Sequence, residues 1–126
     1  MMFAVVPNLV AYEGIVAIMD NVPDSQGHTL GSDVTISNPL PVTYNFDDYQ
    51  TIGSAKAWVE GDKVLVEVFV DSNLIPQGLV ETLVPVIDGK ILACTGFFVE
   101  KWRLEAVALT LTPCDHRLPK LKRKYE

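Results

Sequence analysis

The chain has 126 residues, 48% of them hydrophobic, and a net charge of −6. That length supports one domain with its own core and excludes two comfortable ones; no apolar run reaches the roughly 20 residues of a membrane-spanning helix, and with Cys94 and Cys114 as the only cysteines a disulfide framework is not indicated. The charge is split, −10 over residues 1–116 and +4 over residues 117–126, and because an acidic body repels phosphate backbones, neither a membrane nor nucleic acid is an expected partner of that body.

In chain order, the opening "MMFAVVPN" carries no basic leader and is broken at Pro7, so no secretory signal is read there, and the thiols are expected to stay reduced. "LVAYEGIVAIMD" (9–20) reads as a strand, with Gly14 a bulge position. "NVPDSQGHTLGSD" (21–33) and "SNPLP" (37–41) are rich in turn formers and read as loops. Residues 52–70 read as a β-hairpin turning at Glu60, Gly61 and Asp62: in the second half Val64, Val66, Val68 and Val70 share one face, while Leu65, Glu67 and Phe69 share the other. "IPQGLVETLVPVIDGK" (75–90) places Leu79, Leu83 and Val86 at helical spacing and closes on Asp88-Gly89, which predicts a short helix that Pro85 breaks or kinks near Leu83 or Val84. "WRLEAVALTLT" (102–112) alternates again and stops at Pro113. The expected fold class is therefore α+β: mainly antiparallel β, a small barrel or curled sheet with one or two short helices. Residues 1–116 are expected to form the domain, with residues 117–126 a basic C-terminal tail.

Set in that order, four segments resemble the tailed-phage prohead protease family, whose fold is similar to the herpesvirus assembly proteases. "DSQGHTL" (24–30) resembles the family's Asp-x-x-Gly-Asp element, and "PVTYNFDDYQTIGSAKAWVEGDKVLVEVFV" (41–70) its strand, aspartate, Ile-Gly turn and hairpin. "LVETLVPVIDGKILACTGFFVEKW" (79–102) resembles the helix, Asp-Gly cap and strand that carry the Ser-x-Gly-Phe nucleophile motif, and "VALTLTPCD" (107–115) the final strand. The resemblance spans roughly residues 10–115 and implies a catalytically degenerate member. The histidine that precedes the family's aspartate is Phe46 here, before Asp47, and the nucleophilic serine is Cys94. Glu105 lies near the place of a supporting acid, but the spacing to Pro113 does not carry that role over.

The residues give the same chemistry. A nucleophile needs a base within hydrogen-bond reach, and the flanks of Cys94 (Ile91, Leu92, Ala93, Phe97, Phe98) read as those of a buried structural cysteine. His28 and His116 read as solvated loop residues, and with Cys94 and Cys114 they lack the tight ligand pair of a structural zinc site, so no metal is expected. Asp47 and Asp48 are adjacent on a strand and point to opposite faces, a poor carboxylate dyad, and no glycine cluster has phosphate-loop spacing. No catalytic residue and no cofactor are expected. The expectation is a non-enzymatic structural protein of the phage head, assembled in the host bacterial cytoplasm, that binds capsid or other virion proteins or copies of itself. Arg117, Lys120, Lys122, Arg123, Lys124 and Tyr125 are the expected partner-binding residues. The alternatives are an active maturation protease with Cys94 as nucleophile, and a small β-domain that docks on another phage or host protein.

Overall fold

A computed structural model describes residues 9–47, 50–74 and 79–124. They form eight strands: β1 (Leu9–Ile18), β2 (Thr29–Ile36), β3 (Leu40–Tyr44), β4 (Thr51–Glu60), β5 (Lys63–Asp71), β6 (Val84–Thr95), β7 (Phe98–Thr110) and β8 (Lys122–Arg123). The expected hairpin is β4–β5. Its strands pair from Gly53↔Val70 to Glu60↔Lys63 across a two-residue turn, and Gly61 takes the positive φ of +64° that such a turn asks of its first position. Val64, Val66, Val68 and Val70 are all fully buried, as the alternation requires, and form the floor of the main core with Leu40, Val42, Leu104 and Leu109.

The sheet is mixed and curled. β7 is its spine. β6 runs antiparallel along the whole of one edge, while β2 and β3 lie end to end along the other, both parallel to β7. From β3 the sheet continues through β4, β5 and β1 to β8. The β2–β3 junction is held by Asn38, whose side chain both donates to the Ala57 carbonyl and accepts from the Ala57 N–H at 2.9 Å, imitating a strand residue.

Three expectations are corrected. The α+β reading gives way to a β-dominated domain: the described residues hold only two single 3-10 turns, Ser72–Leu74 and Val80–Thr82, and the sheet does not close into a barrel. The helix predicted over 75–90 is, from Val84 onward, strand β6, and its first residues, 75–78, lie outside the described residues. Leu83, Val84, Pro85 and Val86 are buried in succession, a pattern that hydrophobic period alone cannot assign. Pro85 is tolerated because β6 has β7 on one side only. Gly89 is a close-approach glycine rather than a helix cap: a Cβ there would collide with the Arg103 carbonyl oxygen. Finally, residues 29–33, read as loop, begin β2.

The curl brings β1 and β6 together without pairing them. A bulge between Ile15 and Ala17, two residues beyond the position read from Gly14, lets the consecutive Val16 and Ala17 both face inward. Gly14 serves the approach of the two edges, since a Cβ on it would stand 2.9 Å from Cγ of Pro85 and 3.2 Å from Cδ2 of Leu121. The chain's own C-terminal segment fills the seam. Leu118 packs with Val84, Val86 and Ala108, Leu121 enters the main core, and the Leu121 N–H donates to the Leu83 carbonyl at 2.8 Å. β8 then pairs with β1 (Glu13↔Lys122, Tyr12↔Arg123), and the Lys124 N–H donates to the Ala11 carbonyl at 3.0 Å.

Candidate functional site

The two positions that the family resemblance singles out, Phe46 and Cys94, lie on different elements of the fold. Cys94, expected to be buried, is exposed. It sits near the end of β6, opposite Val99, where β6 and β7 extend as a hairpin arm past the core, so its apolar neighbours are surface and not packing. Phe46, expected to pack in the interior, stands half exposed in the turn after β3, at a positive φ of 64° next to Asn45 at 53°. The turn is fixed by the Asn45 N–H, which donates to the Leu109 carbonyl at 2.8 Å, and by the Thr110 hydroxyl, which donates to Asn45 Oδ1 at 3.1 Å. Phe46 lines the cleft described below and Cys94 does not.

Among the described residues, four of the ten exposed large hydrophobic side chains lie on the arm. Ile91, Leu92, Phe97 and Phe98 retain 57%, 45%, 65% and 37% of their accessible surface, a grouping that scattered surface residues would not give. Sequence explains the arm's shape. Gly96 takes a φ of 60° in the tight turn between Thr95 and Phe98, and the Thr95 hydroxyl donates to Glu100 Oε1 at 2.5 Å across its base. One side of the arm is anchored: Thr29 N–H donates to the Phe97 carbonyl at 3.0 Å as β2 begins, and the His28 ring meets the Phe97 ring edge-on, centroids 5.5 Å apart. The pairing of β6 with β7 is irregular along the arm, with register shifts between Ile91 and Ala93 and between Ala93 and Cys94.

Beside the arm's root, the curled sheet opens in a cleft of about 370 Å³. Its walls are mainly apolar, with Val16, Leu30, Ile87, Val99 and Trp102 among them, and Trp102 is oriented by its indole N–H, which donates to the Gly31 carbonyl at 3.1 Å. Asp24, His28, Lys90 and Cys114 stand among the polar lining groups. Asp24 is committed to its own loop: its Oδ1 accepts from the N–H groups of Gln26 and His28 at 2.9 and 3.0 Å. Ser25 N–H donates to the Cys114 carbonyl at 2.9 Å, which ties this loop to the exit of β7. His116 lies in the exposed turn that leads to the seam. Among the described residues no group of three or more His, Cys, Asp or Glu side chains is placed to hold a metal. Of the Asp47-Asp48 pair, Asp47 lies in the turn after β3 and Asp48 is outside the described residues.

The basic segment is part of the folded body. Arg117 bridges Asp20 Oδ2 at 2.7 Å and Asp115 Oδ2 at 3.0 Å. The Arg117 guanidinium holds the Asp20 carboxyl below the ordinary carboxylate range, and Asp115, then Asp20, push the Arg117 pKa up in turn. Lys124 pairs with Glu67. Lys120, Lys122 and Arg123 are exposed, and Tyr125 lies outside the described residues. Two of the expected partner-binding cations are thus engaged within the chain, and three are displayed on a fixed frame. Leu118 and Leu121 anchor the segment, and the apolar residues Ile91, Leu92, Phe97 and Phe98 are left uncovered by this chain, which their sequence alone does not reveal. Comparison with protein-family models, with curated proteins and with solved structures finds no match to this chain.

Proposed function

We propose that this chain is a non-enzymatic structural protein of a tailed-phage virion, an auxiliary or decoration component of the head that docks on other proteins through its β6–β7 arm. The observation that supports it most is the exposed cluster of Ile91, Leu92, Phe97 and Phe98 on a hairpin whose turn and base are rigidly built. A monomer that left such a patch in water would forgo the burial of that apolar surface, worth about 25 cal/mol per Å². The order of motifs that resembles the prohead proteases supplies the phage setting, and Phe46 in place of a histidine supports loss of their chemistry.

Quantitative mass spectrometry of purified tailed-phage particles that carry this gene tests the reading. A fixed copy number per particle, with no cleavage of capsid-derived peptides by the purified chain, is the expected result. Absence from finished particles overturns it. The exposure of Cys94 gives one observation in favour of a second reading, a maturation protease that uses this thiol. Peptide cleavage abolished by Cys94→Ala would establish that reading instead.

A further inference from the structure

We infer that the outer face of the sheet, where the C-terminal segment crosses its end, carries a binding site separate from the arm, an open groove that takes a neutral oligosaccharide. Three observations carry the inference, and none of them involves β6 or β7.

The first is an apolar floor with an aromatic end. Trp58 lies directly opposite Leu65 across β4 and β5, and Leu65 opposite Ile15 across β5 and β1, so the three side chains form one row on the face away from the buried valines. Trp58 keeps 39% of its accessible surface, and its indole N–H already donates to Glu60 Oε2 at 3.2 Å. With that polar handle engaged, the exposed part of the ring is carbon surface. It suits the C–H face of a pyranose ring.

The second is a wall that the fold holds in place. The groove, about 330 Å³, is bounded beyond β1 by Pro119, Lys120 and Lys122. These residues flank the anchors Leu118 and Leu121, so the burial of two leucines positions the side chains around them. A concave site of this size, mainly apolar with a few polar groups at its margin, has the make-up of a small-ligand site. From β4 to β8 it spans three strand spacings, about 14 Å at about 4.8 Å each, which leaves room for more than one sugar ring.

The third decides the ligand. Glu13, Lys120 and Lys122 all line the groove, and among the described residues their side chains have no hydrogen-bond or ion-pair partner, although Glu13 stands opposite Lys122 across β1 and β8. An anionic ligand drawn to the lysines would be set against Glu13, and a cationic ligand drawn to Glu13 would be set against the lysines. A carboxylate only accepts hydrogen bonds and an ammonium only donates them, whereas a hydroxyl does both. An uncharged polyhydroxyl ligand therefore uses all three groups without repulsion.

Titration of the full chain with the neutral trisaccharides of glucose, of galactose and of N-acetylglucosamine, followed by calorimetry and by tryptophan fluorescence, tests the site. At least one of the three is expected to bind and to change the emission of Trp58, since the other tryptophan, Trp102, is 2% exposed. Trp58→Ala, or Trp58→Leu if that variant is unstable, should weaken binding at least about tenfold, and Trp58→Phe should lose less. Glu13→Gln, which keeps an acceptor, should lose less than Glu13→Ala. Circular dichroism confirms that each variant is folded. No binding of any of the three sugars, an unchanged affinity in a folded Trp58→Ala, or binding of poly-aspartate in place of the sugars each overturns the inference. A chain that binds sugar but is absent from finished particles refutes the virion role alone; one present in particles that binds no sugar refutes the groove alone.

Discussion

Leu121→Ala probes the seam where the C-terminal segment meets the sheet. The side chain is 4% exposed and belongs to the main core cluster, and its Cδ2 lies against Gly14 on β1. Truncation removes buried methyl groups from a site whose walls, β1 and β6, are each held by their own sheet partners, so little collapse into the space is available. A buried leucine truncated to alanine costs about 2–5 kcal/mol, the upper part of that range where the surroundings cannot close in. Against a total stability on the order of 10 kcal/mol this is a large fraction. For a domain of this size each kcal/mol moves the melting temperature by about 3–6 °C, so a fall of about 10 °C or more is expected. Thermal unfolding followed by circular dichroism measures it, with the exposed Lys122→Ala as a control expected within about 0.5 kcal/mol of wild type. If Leu121→Ala melts within about 2 °C of wild type, a shift too small for any loss of buried packing, the segment does not close the seam.

The Thr43 hydroxyl is buried without a hydrogen-bond partner among the described residues, so Thr43→Val should leave the melting temperature unchanged or raise it; a clear drop would mean the hydroxyl is satisfied. Asp20 has its folded pKa lowered by Arg117, so its contribution is present above the ordinary carboxylate pKa of about 4 and is lost as pH falls through the folded value. The gap in melting temperature between wild type and Asp20→Asn should therefore be open near neutral pH and close as the solution is acidified below the ordinary carboxylate range; a gap that persists in strong acid contradicts the pairing. Both Cys94 and Cys114 are exposed and should react with iodoacetamide in the folded protein, and protection of Cys94 before unfolding would return it to the interior.

The parts of the fold that could be read from sequence are those where one residue in two is apolar and a turn former bounds the run. The β4–β5 hairpin satisfies both conditions, and its valine face is buried as expected. β6 satisfies neither, because Leu83 through Val86 are all covered and the strand turns outward after Gly89. Tertiary context there overrides a helical spacing of three leucine and valine positions. The arm is illegible for a related reason: the sequence around Cys94 reports that the residues are apolar, and not whether this chain covers them. The charge of the C-terminal segment suggests a tail, while its position is set by Leu118 and Leu121, two residues among ten.

The central claim is that the arm binds and the Cys94 thiol is not a catalytic nucleophile, and co-sedimentation of purified variants with capsid particles separates the two most directly. Cys94→Ala should co-sediment as wild type does, and Phe97→Asp, while folded, should stay in the supernatant. Binding by Phe97→Asp at the wild-type level, or capsid cleavage by the wild type that disappears in Cys94→Ala, would contradict the account.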